Sequence, residues 1–410
     1  MNTLKSIKAK EILDSQDRST VQVELETERV RVIASVPSGV STGKYEAVEL
    51  RDKDGQGVKK ALENIRKIIS PVLAKEDLSN QKRIDGILLK LDGTENKSRL
   101  GANAILAVSV ACCRASAADR EIPLYRYIAD LAENGSRAIL PKPSFNLLEG
   151  GKHSEAELAF QEFMIIPQKN KFSDNFKIGK QIYTSFGKIL EKKFGKKNMS
   201  LSKEGAFFPP VKKVSEVLDL IKEALAGVSD VKIAIDAAAS EFYQDRNYGV
   251  DGQVFSAKEL AGFYSNLVRR YPITLIEDPF DEEDYGGWEE IRFPKYNGRK
   301  SDFLIFGDDL TVTNIARMKM AKEKKLCNGV IIKPNQIGTV TETLEAARLA
   351  KSYGWKIMVA NRAGETMDDF IADLAVGIGA DFIKSGAPFP KERLAKYNRL
   401  LKIEKEIKNE

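Results

Sequence analysis

Ile273-Thr274-Leu275-Ile276-Glu277-Asp278 decides the fold: an aliphatic, β-branched run too short for a helix, closed at once by two acids. The pattern also occurs upstream, where Val231–Ile235 is followed by Asp236. Downstream it returns at Phe303–Phe306, Val330–Ile332, Lys356–Val359 and Asp381–Ile383. Those runs lead into Asp308-Asp309, Lys333, Asn361-Arg362 and Lys384, and successive polar closures lie 22 to 41 residues apart. That spacing is about what one strand and one helix consume. Short apolar runs alternating with helical stretches predict parallel βα units, and closing them into a barrel brings the strand ends to one mouth. One charged residue after a strand commonly just meets solvent. Six in register instead predict a functional mouth holding Asp236, Glu277, Asp308, Lys333, Arg362 and Lys384.

Working outward from the barrel, the N-terminal part reads as α+β. Val21–Leu25 and Val30–Ala34 alternate with period two, as half-buried hairpin strands do. From Gly57 to Leu91 and from Asn103 to Ala118 apolar residues recur at helical spacing. Pro141-Lys142-Pro143, following the polar segment Glu133–Arg137, marks a boundary. The expected organisation is an N-terminal α+β domain over residues 1–137 and an α/β barrel over 138–410, a division that a chain of 410 residues accommodates.

Composition narrows the function. Hydrophobic content of 42% with 30% charge is that of a soluble globular protein. No apolar run approaches the ~20 residues that cross a bilayer, and Met1 to Leu13 lacks the apolar block of a secretory signal. A cytoplasmic protein without a membrane partner is expected. The net charge of +6 comes from 65 basic and 59 acidic residues scattered along the chain, which reads as solvated surface and not as a nucleic-acid site. Three cysteines without CxxC spacing give no disulfide framework. The single histidine, His153, excludes a multi-histidine zinc site, so any metal is held largely by oxygen, which favours magnesium, calcium or manganese. The stretch Gly39 to Lys44 has three residues between its glycines where a P-loop has four, and Tyr45 stands where the metal-binding hydroxyl belongs.

Asp236, Glu277 and Asp308 would repel one another without a cation, their pKa values rising, and oxygen ligation with open positions suits magnesium. Lys333 and Lys384 face the same cavity. Two ammonium groups beside a dication are expected to depress one another, bringing a lysine towards use as a base. Lysine base, hard cation and carboxylate substrate together define proton abstraction beside a carboxylate. Arg362, planar and permanently charged, suits a phosphate.

Several segments resemble the enolase family. They include Ser38-Gly39-Val40-Ser41-Thr42-Gly43, Gln161-Glu162-Phe163-Met164, Glu277-Asp278-Pro279-Phe280, Gly307–Asn314 and Lys333–Thr339. Gly364-Glu365-Thr366, Phe370–Leu374 and Ile383–Pro388 continue the series, which runs in order along essentially the whole chain. The resemblance implies an enolase-type (β/α)8-like barrel whose first strands depart from simple βα repetition, beneath an N-terminal α+β lid domain. It implies two magnesium ions, one on Asp236, Glu277 and Asp308 and a second with substrate and Ser41. Lys333 is then the base at carbon 2 of 2-phosphoglycerate, Glu204 the acid at the leaving 3-hydroxyl, Glu162 its carboxylate neighbour and His153 the mobile-loop histidine. Gln161, Asn361, Arg362 and Lys384 are substrate-binding positions, with phosphate on Arg362 and carboxylate on Lys384. A homodimer is implied too, although a glutamate–arginine pair of that interface appears here as Gln22 and Lys402.

Departures from the family pattern gather at the site. The family's Ser-His-Arg-Ser is Ala360-Asn361-Arg362-Ala363, so a histidine becomes an amide and a phosphate-binding hydroxyl is lost. His-Ala-Gly-Asn is His153-Ser154-Glu155-Ala156, and Asp-Glu-Gly-Gly-Phe-Ala-Pro is Lys203-Glu204-Gly205-Ala206-Phe207-Phe208-Pro209. Two functions follow. One is a magnesium-dependent lyase interconverting 2-phosphoglycerate and phosphoenolpyruvate. The other is a paralogue applying the same enolate chemistry to a related phospho- or phosphono-carboxylate, as carboxyphosphonoenolpyruvate synthase does. A non-enzymatic binding protein on the scaffold ranks third, because it gives no reason to keep both lysines and three acids.

Overall fold

The computed structural model describes residues 3–40, 42–74, 76–135, 138–151, 158–291 and 303–409. Ser41 and His153 lie outside the described residues. Strands β1 (Leu4–Leu13), β2 (Ser19–Thr27) and β3 (Arg31–Ser35) form an antiparallel meander. The sequence reading expected β2 and β3 but did not assign β1. Its alternation is a strand signal all the same: Ile7 and Ala9 are buried while Lys8 and Lys10 face out. Val21, Val23 and Leu25 on β2 are fully buried. Against this sheet packs the helix Ala102–Asp119, which is buried along nearly all its length and so lacks a polar stripe. Cys112 and Cys113 lie within it, and burial pushes both thiols up and out of reactive range.

The second domain begins with β4 (Lys142–Glu149), β5 (Glu162–Pro167) and β6 (Val231–Asp236). A small sheet follows: β7 (Tyr243–Gln244), β8 (Asn247–Val250) and β9 (Gln253–Phe255). Then come β10 (Ile273–Glu277), β11 (Leu304–Gly307), β12 (Gly329–Ile332), β13 (Lys356–Ala360) and β14 (Phe382–Lys384). Eight of these close a barrel in the order β4-β5-β6-β10-β11-β12-β13-β14, with β14 pairing back to β4. Here β5 runs antiparallel to both neighbours while the remaining pairs are parallel. That is the departure from βα repetition the resemblance implies. Met164, Ala234, Leu275, Phe306, Ile331 and Met358 fill the barrel interior with buried side chains. The barrel is therefore a packed core, and ligands are confined to its mouth.

Buried polar contacts tie the two domains together. Asp85 accepts from Ser109 Oγ (2.6 Å) and, across the boundary, from Thr341 Oγ1 (2.6 Å). Arg114 on the long helix reaches Asp368 Oδ2 (2.6 Å) and Asp369 Oδ1 (2.9 Å) in the loop following β13. Burial favours the neutral form of Asp368, but Arg114 outweighs it and holds the carboxyl below its ordinary value. Such a contribution is present above the unfolded pKa of ~3.9 and is lost as pH falls through the lower folded value. Arg114→Ala is expected to cost about 3 kcal/mol by leaving Asp368 buried without its cation. Urea unfolding at neutral pH checks this, and the gap to wild type should narrow as the acid limb is entered.

Candidate active site

Register assembles the site. Glu149 at the end of β4 pairs with Glu162 on β5, Glu162 with Asp236 on β6, and Asp236 with Glu277 on β10. Cross-strand partners share a face, with Cβ atoms ~4.5–5.5 Å apart, so four acids form one row. Lys384 at the end of β14 closes on that row. Its Nζ donates to Glu277 Oε2 (2.8 Å), Glu162 Oε2 (2.9 Å) and Asp236 Oδ2 (3.2 Å). One ammonium thus counter-charges three buried carboxylates.

Asp308, directly after β11, is turned elsewhere. It accepts from Lys333 Nζ and from Gln336 Nε2 (2.9 Å). The three acids expected to surround one cation are therefore divided between two lysines. Among the described residues, the closest acid groups are Glu149–Glu162–Glu204 and Asp278–Asp308–Asp309, each with carboxylate oxygens within 4.8 Å of one another. In the second group Asp278 takes the backbone N–H of Asp308 (2.9 Å) and Asp309 (2.7 Å), fixing the turn that presents Asp308.

These contacts set the protonation pattern. Burial raises the pKa of both Asp236 and Glu277, as the repulsion argument expects, although Lys384 opposes it. Asp308 is the exception, because Lys333 and Lys384 overcome burial and pull it below its ordinary value. The expectation of depressed lysines concerns a site holding its dication; without the ion, the acids set both lysines. Burial does lower Lys333, but Asp308 outweighs it, and Glu162, Glu277 and Asp236 do the same for Lys384. Both lysines lie above their usual range, and the reason is numerical. Among the described residues, eight acidic side chains line the cavity against three basic ones, so the acids decide each lysine's surroundings.

The remaining predicted positions divide. Asn361 and Glu204 come together, with Asn361 Nδ2 donating to Glu204 Oε2 (2.9 Å). Gly205 turns the chain after Glu204 at φ +83°, and a Cβ there would lie 2.5 Å from Pro390. Arg393 Nη1 approaches Glu204 from behind at 3.6 Å. Gln161 lines the cavity, and its buried Oε1 has no hydrogen-bond partner among the described residues. Arg362 is gripped by Glu46, Nη1 to Oε2 at 2.7 Å and Nη2 to Oε1 at 3.2 Å, so a carboxylate occupies its fork.

Glu46, Gln336 and Glu149 are cavity groups or neighbours that the sequence reading did not single out. Glu149 carried the same signal as Asp236, an acid ending an apolar strand. Nothing in the sequence indicated that Glu46 reaches Arg362 across the domain boundary.

An excess of carboxylates at the strand ends, and a buried amide oxygen of Gln161 without a hydrogen-bond partner among the described residues, suit a hard divalent cation held by oxygen. A closed barrel of this topology, with acids on early strands and lysines on later ones, defines an α/β-barrel enzyme with its site at the strand ends. Two family models match the chain, one described as the N-terminal domain of enolase over residues 4–128 and one as the C-terminal TIM barrel domain of enolase over 137–410. The chain belongs to the enolase family. No helix among the described residues is long and apolar enough to cross a membrane.

Proposed function

We propose that the protein removes the carbon-2 proton of 2-phosphoglycerate and interconverts that acid with phosphoenolpyruvate, with magnesium on Asp236, Glu277 and Asp308. The observation that carries this reading is one cavity lined by Lys333, Lys384, Arg362 and Glu204 together with Glu162, Asp236 and Asp308. Lys333 Nζ takes the proton from carbon 2. Lys384 binds the substrate carboxylate and Arg362 the phosphate, which exchanges with Glu46 in the guanidinium fork, while Gln161 and Asn361 border the substrate. Glu204, with Glu162 beside it, gives a proton to the 3-hydroxyl. The carbon–oxygen bond breaks, water leaves, and the electron pair from carbon 2 forms the new double bond. Magnesium, when bound, offsets the charge that builds on the carboxylate as carbon 2 loses its proton. Ser41 at a second magnesium, His153 in a closing loop, a homodimer and a cytoplasmic location belong to the same reading through the family resemblance.

One observation favours the paralogue as second reading: the group beside Glu204 is a neutral amide, and Ala363 next to Arg362 offers no hydroxyl. Each missing hydrogen bond to a charged group costs ~1.5–3 kcal/mol. With 2-phosphoglycerate and magnesium, the hydratase is expected to exchange the carbon-2 proton with solvent, followed by NMR, and to produce the near-ultraviolet absorbance of phosphoenolpyruvate. Exchange without that absorbance selects the paralogue. Absence of exchange sinks the enolate reading on this substrate.

A further inference from the structure

Glu149 lies outside every role assigned above. It ends β4, is 1% exposed, and takes its place at the edge of the acid row through its register with Glu162. Its Oε1 accepts from Asn146 Nδ2 (2.7 Å), whereas the equally buried Oε2 has no hydrogen-bond partner among the described residues. Burying a carboxylate oxygen without a partner favours the protonated form, most of all where a second carboxylate can take part in the proton's hydrogen bond. The other members of its acid group are differently placed. Glu162 has its own cation, Lys384 Nζ at 2.9 Å. Glu204 accepts from a neutral amide at 2.9 Å, with the Arg393 guanidinium at 3.6 Å.

We infer that Glu149 is a positioning residue that shares one proton with Glu204 and keeps that pair protonated at neutral pH. Two carboxyls this close inside a protein resist ionising together, so the pair holds its proton to higher pH than either acid alone. Burial first, then Glu204 and Glu162, push Glu149 well above the usual carboxylate range, with Ser202 and Arg393 working the other way. The groups facing it are Glu162 from β5, Ser202 and Glu204 from the turn at 202–206, Arg393 from the helix Lys391–Lys408 and Tyr183 from the helix Phe172–Phe194. Tyr183 is itself raised, by burial and then by Glu149, and gives its proton to Gly205 O, so it supplies none to the pair. Asn361 carries no titratable proton. Glu149 therefore supplies the protonation that Glu204 needs in order to act as an acid.

This deepens the proposed function and rests on Glu204 protonating the leaving hydroxyl. In that step the pair gives up one proton to the departing oxygen, which leaves as water. The pair, then doubly charged, regains a proton from solvent before the next turnover.

Glu149→Gln tests it, because an amide matches a neutral acid in shape but cannot share a proton. The variant is expected to unfold at the same urea concentration as wild type and to exchange the carbon-2 proton through Lys333 at an unchanged rate. Formation of phosphoenolpyruvate should fall roughly tenfold or more at pH 7, with the alkaline limb of its pH profile displaced downwards by about one unit. An unchanged elimination rate and profile in Glu149→Gln overturns the inference. Infrared difference spectra give a readout independent of turnover: above neutral pH, wild type minus Glu149→Gln should show a carbonyl component of a protonated carboxylic acid beyond those of other buried acids such as Glu277. Should wild type fail to turn over 2-phosphoglycerate, that component alone decides, and its absence from the difference refutes the shared proton. If Glu149→Gln unfolds early, Glu149→Asp provides the second comparison, since it should restore both band and profile.

Discussion

Lys333→Ala is expected to slow carbon-2 proton exchange by roughly 10²–10⁴-fold, the range contributed by a positioned general base. The argument does not depend on the lysine's charge state in the metal-free protein, where Asp308 holds it protonated. What matters is that its Nζ enters the cavity directly after β12 and pairs there with Asp308, a proposed metal ligand. Removing the side chain frees Asp308 from its internal cation, so magnesium affinity should stay the same or rise. Exchange lost with magnesium binding intact, by NMR and by calorimetric titration, fits a base. Exchange and magnesium binding lost together would instead make Lys333 part of the scaffold for Asp308, and the proposed role would fall.

The barrel was legible because its signal is local. Each of six apolar runs became a strand, from β6 to β14, and each closing residue came to the mouth. What the sequence hid was pairing. Nothing in Lys384 announces that one ammonium will meet Glu162, Asp236 and Glu277, residues 222, 148 and 107 positions away. The surroundings of the two lysines in the metal-free protein have the same origin. Two lysines and one dication were weighed against three acids, whereas the folded cavity gathers eight, several of them from turns whose direction is set by Asp278 and Gly205. Glu149 was missed because an antiparallel strand pair puts the end of β4 beside the start of β5, and simple βα repetition predicts no such pair.

Lys384→Met should separate the structural role of that ammonium from its role in binding substrate. Glu162, Asp236 and Glu277 are all at least nine-tenths buried, and Lys384 donates to each of them. Deleting the cation of a buried cluster typically costs about 3–5 kcal/mol, because uncompensated charge is left behind. The variant is therefore expected to lose that much stability in chelator-treated solution. Saturating magnesium should return most of it, since a ligand that binds only the folded state stabilises it in proportion to the logarithm of its excess over Kd. Wild type, already counter-charged by Lys384, should gain less from magnesium. Activity with 2-phosphoglycerate should remain lost in the variant even with magnesium present, because no other side chain replaces the carboxylate ligand. Urea unfolding with and without magnesium measures the first effect and the phosphoenolpyruvate absorbance the second. If the variant is as stable as wild type in chelator, Lys384 is not the counter-charge of the acid row, and the close contacts of its Nζ contribute little to the fold.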